Sequence, residues 1–89
     1  MTQEEFVEHW MDEHVPLDSQ LPGLQRYATI VPDDPGDSRY DGVAILEFDD
    51  ETTVSEAFDS EVGLRTVDDL DNFVAEVVRV AGGEIVHVE

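Results

Sequence analysis

The stretch EEFVEHWMDEHVPLDSQLPGLQRY, residues 4–27, changes its hydrophobic period halfway along, and that change decides the fold. In its first half Phe6, Val7, Trp10, Met11 and His14 recur at intervals of three and four, one face of an α-helix. Thr2 stands three residues ahead of Glu5, the spacing of a capping box, and Glu4 and Glu5 suit the positive end of the helix dipole. Pro16 is expected to stop the helix, because proline disfavours helical geometry in the residue before it. Leu21-Pro22-Gly23-Leu24 reads as a turn, with Pro22 fixing one dihedral and Gly23 tolerating positive φ. Past the turn the period becomes two. Leu24, Arg26, Ala28 and Ile30 share one face of a strand, and Gln25, Tyr27, Thr29 and Val31 share the other.

The same stretch holds two of the three histidines. At 100° per residue His14 lies on the stripe of Phe6, Trp10 and Met11, whereas His9 falls beside Glu5, Asp12 and Glu13. Five residues apart, the rings diverge by roughly 140° on a regular helix and cannot share a metal, unlike the four-residue spacing of zinc-protease helices. His14 is therefore expected to be buried and His9 largely solvent-exposed.

Working outward, residues 33–42 (DDPGDSRYDG) form a polar loop whose carboxylates do not match a calcium-binding spacing. Residues 42–50 (GVAILEFDD) read as a second strand, apolar on both sides. Residues 52–63 (TTVSEAFDSEVG) carry Val54, Ala57, Phe58 and Val62 along a helical stripe, with Gly63 as its stop. Residues 66–73 suggest a short helix capped by Thr66. Residues 73–80 (FVAEVVRV) and 84–89 (EIVHVE) read as strands, with Gly82-Gly83 as a hairpin or bulge between them. The order is helix–strand–strand–helix–strand, the last strand doubled if both segments pair, in one domain over residues 1–89.

Composition excludes several functions. Twenty-three Asp and Glu oppose four Arg and no Lys, for a net charge of −19. Nucleic acid and anionic membranes both need clustered positive charge, so neither is expected as a partner. With 40% hydrophobic residues in periodic patterns, the excess points to a salt-accumulating, halophilic cell rather than to disorder. There is no cysteine, hence no disulfide and no thiolate metal site. No apolar run spans a bilayer and no signal segment opens the chain, so a cytoplasmic protein is expected.

The residues that carry most of this reading also resemble a known family. Phe6, Trp10, His14, Pro16, Leu17, the run Leu21 to Leu24, and Tyr27 resemble the opening helix and following strand of EthD-like proteins, and Asp71-Asn72-Phe73 resembles their C-terminal half more loosely. The resemblance implies a ferredoxin-like α+β fold, an antiparallel sheet with two helices on one face. It further implies a homodimer in which two sheets meet as a dimeric α+β barrel. The strands here are apolar on both faces while only two substantial helices exist to cover one, which agrees. The face carrying some of Ala28, Ile30, Val43, Ile45, Val78 and Val80 is expected to meet the partner. Family members begin with a strand before the first helix, whereas only Met1 precedes Thr2 here. Either the start lies upstream of Met1, or residues 84–89 fill the vacant place in the sheet.

For chemistry, His14 and Tyr27 are the candidate catalytic pair: an imidazole to shuttle a proton and a phenol to orient a carbonyl. Trp10 and Arg26 are candidate substrate contacts, although Trp10 also fits the core stripe and Arg26 also fits a pairing with a carboxylate. His14 has a structural alternative as a helix-end residue bonding a terminal carbonyl, and His87 reads as structural or exposed. No triad, phosphate loop or metal site is present in the pattern, and no cofactor is expected. Two functions follow from the resemblance. One is a cofactor-free enzyme of the oxidoreductase (monooxygenase), isomerase or cyclase type acting on a small apolar carbonyl or phenolic compound. The other is a non-catalytic small-molecule binder or accessory protein of a degradative oxygenase system.

Overall fold

The structure, a computed structural model, describes residues 1–88. Helix α1 (Gln3–His9) opens with the capping box: the Glu5 N–H donates to Thr2 Oγ1 at 3.1 Å and the Thr2 N–H donates to the Glu5 carboxylate at 3.1 Å. The helix does not stop at Pro16. It widens into a π-helical turn over Trp10–His14 and continues as α2 (Val15–Asp18), with the Val15 N–H donating to the Trp10 carbonyl five residues back. Proline supplies the physical reason. Its ring crowds the carbonyl four residues earlier, that of Asp12, and it has no N–H to give. A wider turn relieves the crowding, and Pro16 then sits in the first turn of α2, where a missing donor is tolerated.

Gly23 takes φ +79° in the turn that follows, the left-handed conformation its position suggested. Strand β1 (Arg26–Ile30) pairs antiparallel with β2 (Val43–Glu47), with Arg26 opposite Glu47, Ala28 opposite Ile45 and Ile30 opposite Val43. Opposed residues share a face, so the register sorts the side chains. Tyr27 and Leu46 face the helices, and Arg26, Ala28, Ile30, Val43, Ile45 and Glu47 face away. Ile30, Val43 and Ile45 are 51%, 41% and 41% exposed, so this face is uncovered.

Helix α3 (Glu51–Asp59) is capped by Asp50 and α4 (Glu61–Phe73) by Ser60. Here the expected boundaries shift. The break falls at Ser60, whose hydroxyl accepts the Gly63 N–H at 3.0 Å, rather than at Gly63. Gly63 is buried in the first turn of α4, and a β-carbon there would lie 2.2 Å from the Ala57 carbonyl oxygen. Thr66 is no cap but a buried residue inside α4, donating to the Gly63 carbonyl at 2.8 Å. Because the atoms it meets are backbone, Gly63→Ala should destabilise the fold by about 1–3 kcal/mol or more. A urea denaturation midpoint equal to that of the parent chain would refute the close α3–α4 approach.

The core is small and largely aromatic. Phe6 packs on Trp10 (5.6 Å between centroids) and on Phe73 (5.5 Å), and Leu21 and Ala57 are buried with them. Trp10 lies against Gly42, where a β-carbon would come within 2.2 Å of the indole. The C-terminal strands are not formed. Residues 74–88 have no helix or strand, and Val80, Ile85 and Val88 are 95%, 77% and 89% exposed. Glu89, the end of the second expected strand, lies outside the described residues. A strand is stable only beside an edge that pairs its N–H and C=O groups. Among the described residues only β1 and β2 form a sheet, and no strand precedes α1 to bridge β2 to residues 74–80. The alternation in 73–80 and 84–89 thus has no ladder to join, and residues 84–88 do not fill the vacant place. The architecture is α+β and ferredoxin-like, with α1 as the first element among the described residues.

Candidate functional site

The π-turn alters which side chains meet. The π-turn closes its hydrogen bond over five residues rather than four, so each residue turns the helix by less than 100°, which brings positions 9 and 14 toward one side. Both rings then reach the same carboxylate on α4: His9 Nε2 lies 3.0 Å from Asp69 Oδ1 and His14 Nδ1 lies 2.8 Å from Asp69 Oδ2. The expectation that the two histidines diverge is therefore wrong, and so is the expectation of a solvated His9, whose side chain is only 25% exposed. The regular 100° step does not apply across a π-turn. His14 itself is buried, as the stripe predicts, with Phe73 against its ring at 5.1 Å.

From His14 the network continues toward the sheet. Its Nε2 lies 3.2 Å from Asp18 Oδ2, and the Tyr27 hydroxyl donates to that same oxygen at 2.8 Å. Asp69 also accepts from Asn72 Nδ2 at 3.0 Å. His14 thus stands between two carboxylates, one on each ring nitrogen, which suits the doubly protonated imidazolium. Burial disfavours that charge, but the bonds to Asp18 and Asp69 outweigh burial and hold the His14 pKa above the ordinary 6.5. Burial would likewise raise Asp69, yet donors from Asn72, His14 and His9 keep its pKa below the usual 3.8. Burial, reinforced by the bond to Asp18, pushes the Tyr27 phenol well up from its ordinary range, so it stays protonated near neutral pH.

These shifts set a pH window. A raised imidazole pKa contributes stability that is complete below pH 6.5 and is lost as pH climbs through the folded-state value. A depressed carboxyl pKa contributes stability that is complete above pH 3.8 and is lost as pH falls through its folded-state value. Both contributions are whole between those limits. The urea midpoint should accordingly be higher at pH 5.5 than at pH 9, and His14→Gln should shrink that difference. An equal or higher midpoint at pH 9 in the parent chain would contradict the cationic His14.

Of the four candidates named from sequence, the structure brings three together. Trp10 and His14 are buried on the same turn, and Tyr27 joins them through Asp18. Arg26 stands apart on the uncovered sheet face, its Nη1 3.3 Å from the cross-strand Glu47. His87 lies in the segment without regular structure. Asp18 and Asp69 were missed. Asp18 follows His14 by four residues, a spacing that could have flagged it, whereas Asp69 is fifty-five residues from His14 and carried no local signal. One surface depression, of ≈ 330 Å³, is lined by Met1, Glu5, Glu8, His9, Asp12 and Glu13, and another, of ≈ 530 Å³, by Val54, Ser55, Phe58, Asp59, Val67 and Arg79. Neither touches His14 or Tyr27. Among the described residues no group of three or more His, Cys, Asp or Glu is arranged to hold a metal ion, and no helix is long and apolar enough to cross a membrane.

A ferredoxin-like α+β protein with a histidine–carboxylate–tyrosine network between helix and sheet is the class that this geometry defines. The EthD domain model matches residues 1–76, and the chain belongs to that family. A crystal structure of an ethyl tert-butyl ether D (EthD) family protein from Bacillus halodurans C-125 superposes with a TM-score of 0.80 at 24% identity, covering 94% of this chain and 87% of the other. That likeness bears on the fold. No curated protein matches the chain.

Proposed function

We propose that the protein is a homodimeric, cofactor-free catalyst of proton transfer on a small apolar carbonyl or phenolic compound, acting in the cytoplasm of a salt-accumulating cell. One observation carries the reading: the Tyr27 hydroxyl is held by a buried carboxylate, Asp18, which is held in turn by a buried imidazolium, His14. Buried ionisable chains are expensive in so small a domain, and they recur where chemistry needs them. A phenol that stays neutral is a donor rather than a base. It can polarise a carbonyl oxygen by hydrogen bonding, so that the adjacent Cα proton is lost to solvent water, while His14 holds Asp18 in place. Tyr27 points to the helices, which supports a substrate site between helix layer and sheet. Dimerisation would then cover the opposite face, Ala28, Ile30, Val43 and Ile45, over more than about 1,000 Å² in total. The relative named for ethyl tert-butyl ether suits a role in breaking down a small apolar compound.

A second reading rests on different observations. Both ring nitrogens of His14 are engaged, and neither depression reaches it, which favours a non-catalytic binder or an accessory protein of a degradative oxygenase system. The test is solvent-deuterium incorporation into a panel of enolisable ketones and phenols, followed by NMR in molar potassium chloride, with native mass to read the oligomer. The catalytic reading expects accelerated exchange by a dimer, reduced roughly 10²–10⁴-fold by Tyr27→Phe. Ligand binding with no exchange for any member of the panel would establish the binder instead.

A further inference from the structure

His14 is sealed from solvent, its side chain 6% exposed, yet any part it takes in proton transfer requires that its own proton be replaced. Two carboxylates and a phenol surround it: Asp18 from α2, Asp69 from α4 and Tyr27 from β1 beyond Asp18. One path leads outward through Asp69, because its carboxylate also meets His9, which lines an open depression. We propose that His9 and Asp69 form a proton relay between solvent and His14, with the π-turn serving to align the two rings on one carboxylate.

The arrangement has the features that such a transfer needs. His9 Nε2 lies 3.0 Å from Asp69 Oδ1 and 3.2 Å from Oδ2, and His14 Nδ1 lies 2.8 Å from Oδ2, so one carboxylate oxygen is within reach of both rings. The balance is simple: a proton enters at His9 Nδ1, leaves His9 Nε2 for Asp69 Oδ2, which lies 3.2 Å away, and passes from that same oxygen to His14 Nδ1. The reverse order discharges His14. Asn72 holds Oδ1 in position at 3.0 Å, and Phe73 packs on both rings, at 4.7 Å from His9 and 5.1 Å from His14. Glu5, Glu8, Asp12 and Glu13 around His9 enrich hydronium at the entrance. A plain clamp pinning α1 to α4 would need the hydrogen bonds but not two ionisable rings. His9 and Asp69 are positioning residues that act through His14.

The relay serves the catalytic reading above, but its test needs no substrate, so the two can fail separately. The His14 Nδ1 proton of ¹⁵N-histidine-labelled protein reports its exchange with water by NMR in molar potassium chloride. His9→Gln retains a side-chain N–H for Asp69 but cannot pass a proton. It should slow the exchange roughly a hundredfold, the lower end of what a positioned acid–base group supplies, while leaving the His14 tautomer unchanged. In His9→Ala, added free imidazole should restore the rate. Exchange in His9→Gln equal to that of the parent chain would overturn the proposal, as would failure of imidazole to accelerate it in folded His9→Ala.

Discussion

Asp18→Ala should cost about 3–5 kcal/mol, the range for removing one partner of a buried ion pair. That is much of the ~5–15 kcal/mol available to a small domain. The loss has two sources at one oxygen. Asp18 Oδ2 receives both His14 Nε2 and the Tyr27 hydroxyl, and all three groups are held in the layer between α2 and β1. Without the carboxylate, His14 must keep its charge unpaired on that side or surrender it inside the protein. Either route raises the energy of the folded state. Asp18→Asn keeps an acceptor for Tyr27 and should lose less. The combined replacement of His14 by Leu, Asp18 by Leu and Tyr27 by Phe removes charges and partners together, and should recover most of the loss seen in Asp18→Ala. Urea denaturation in molar potassium chloride measures all three. An Asp18→Ala chain within 1 kcal/mol of the parent would mean that the network does not hold helix to sheet.

What could be read from the sequence divides along physical lines. The capping box at Thr2, the turn at Gly23 and the two paired strands depend on neighbours in sequence, and all are found where local rules put them. His14 is buried because a helical stripe survives one irregular turn. The misplacements arise where distant contacts or backbone irregularity take over. Pro16 was legible as a disturbance, but whether the helix ends or widens depends on whether α2 has something to pack on. The partners of α2 lie on α4 and β1. Gly63 looks like a stop in sequence, and only the approach of Ala57 shows it as a packing site. The strands expected at 73–80 and 84–89 have the right alternation, but alternation provides no neighbouring edge. Asp69 marks the limit most sharply, since nothing around it distinguishes it from Asp68 or Asp71 until α4 is laid against the π-turn.

In dilute buffer the melting temperature should fall by roughly 20 °C or more relative to 2 M potassium chloride. A few kcal/mol of added repulsion is enough, because each 1 kcal/mol shifts a domain of this size by about 4–8 °C. The source is the net charge of −19 on a body whose radius of gyration is 13.8 Å. At about 10 mM salt the screening length is about 30 Å, longer than that radius, so every carboxylate repels every other. At about 1 M it is about 3 Å, and only immediate neighbours interact. Attraction does little to offset this. Arg26–Glu47 and Arg65–Glu61 are exposed pairs, of a kind that contributes at most about 1 kcal/mol. Screening can be separated from a general strengthening of burial by using sucrose, which is excluded from protein surface but does not screen charge. Sucrose should restore less of the stability than salt does. Replacing exposed Glu4, Glu8 and Glu56 with Gln should lift the low-salt melting temperature more than the high-salt one, since it removes the repulsion itself. A melting temperature that stays level from 10 mM to 2 M would show that the acidic surface is not an adaptation to salt, and the proposed cellular setting would fall with it.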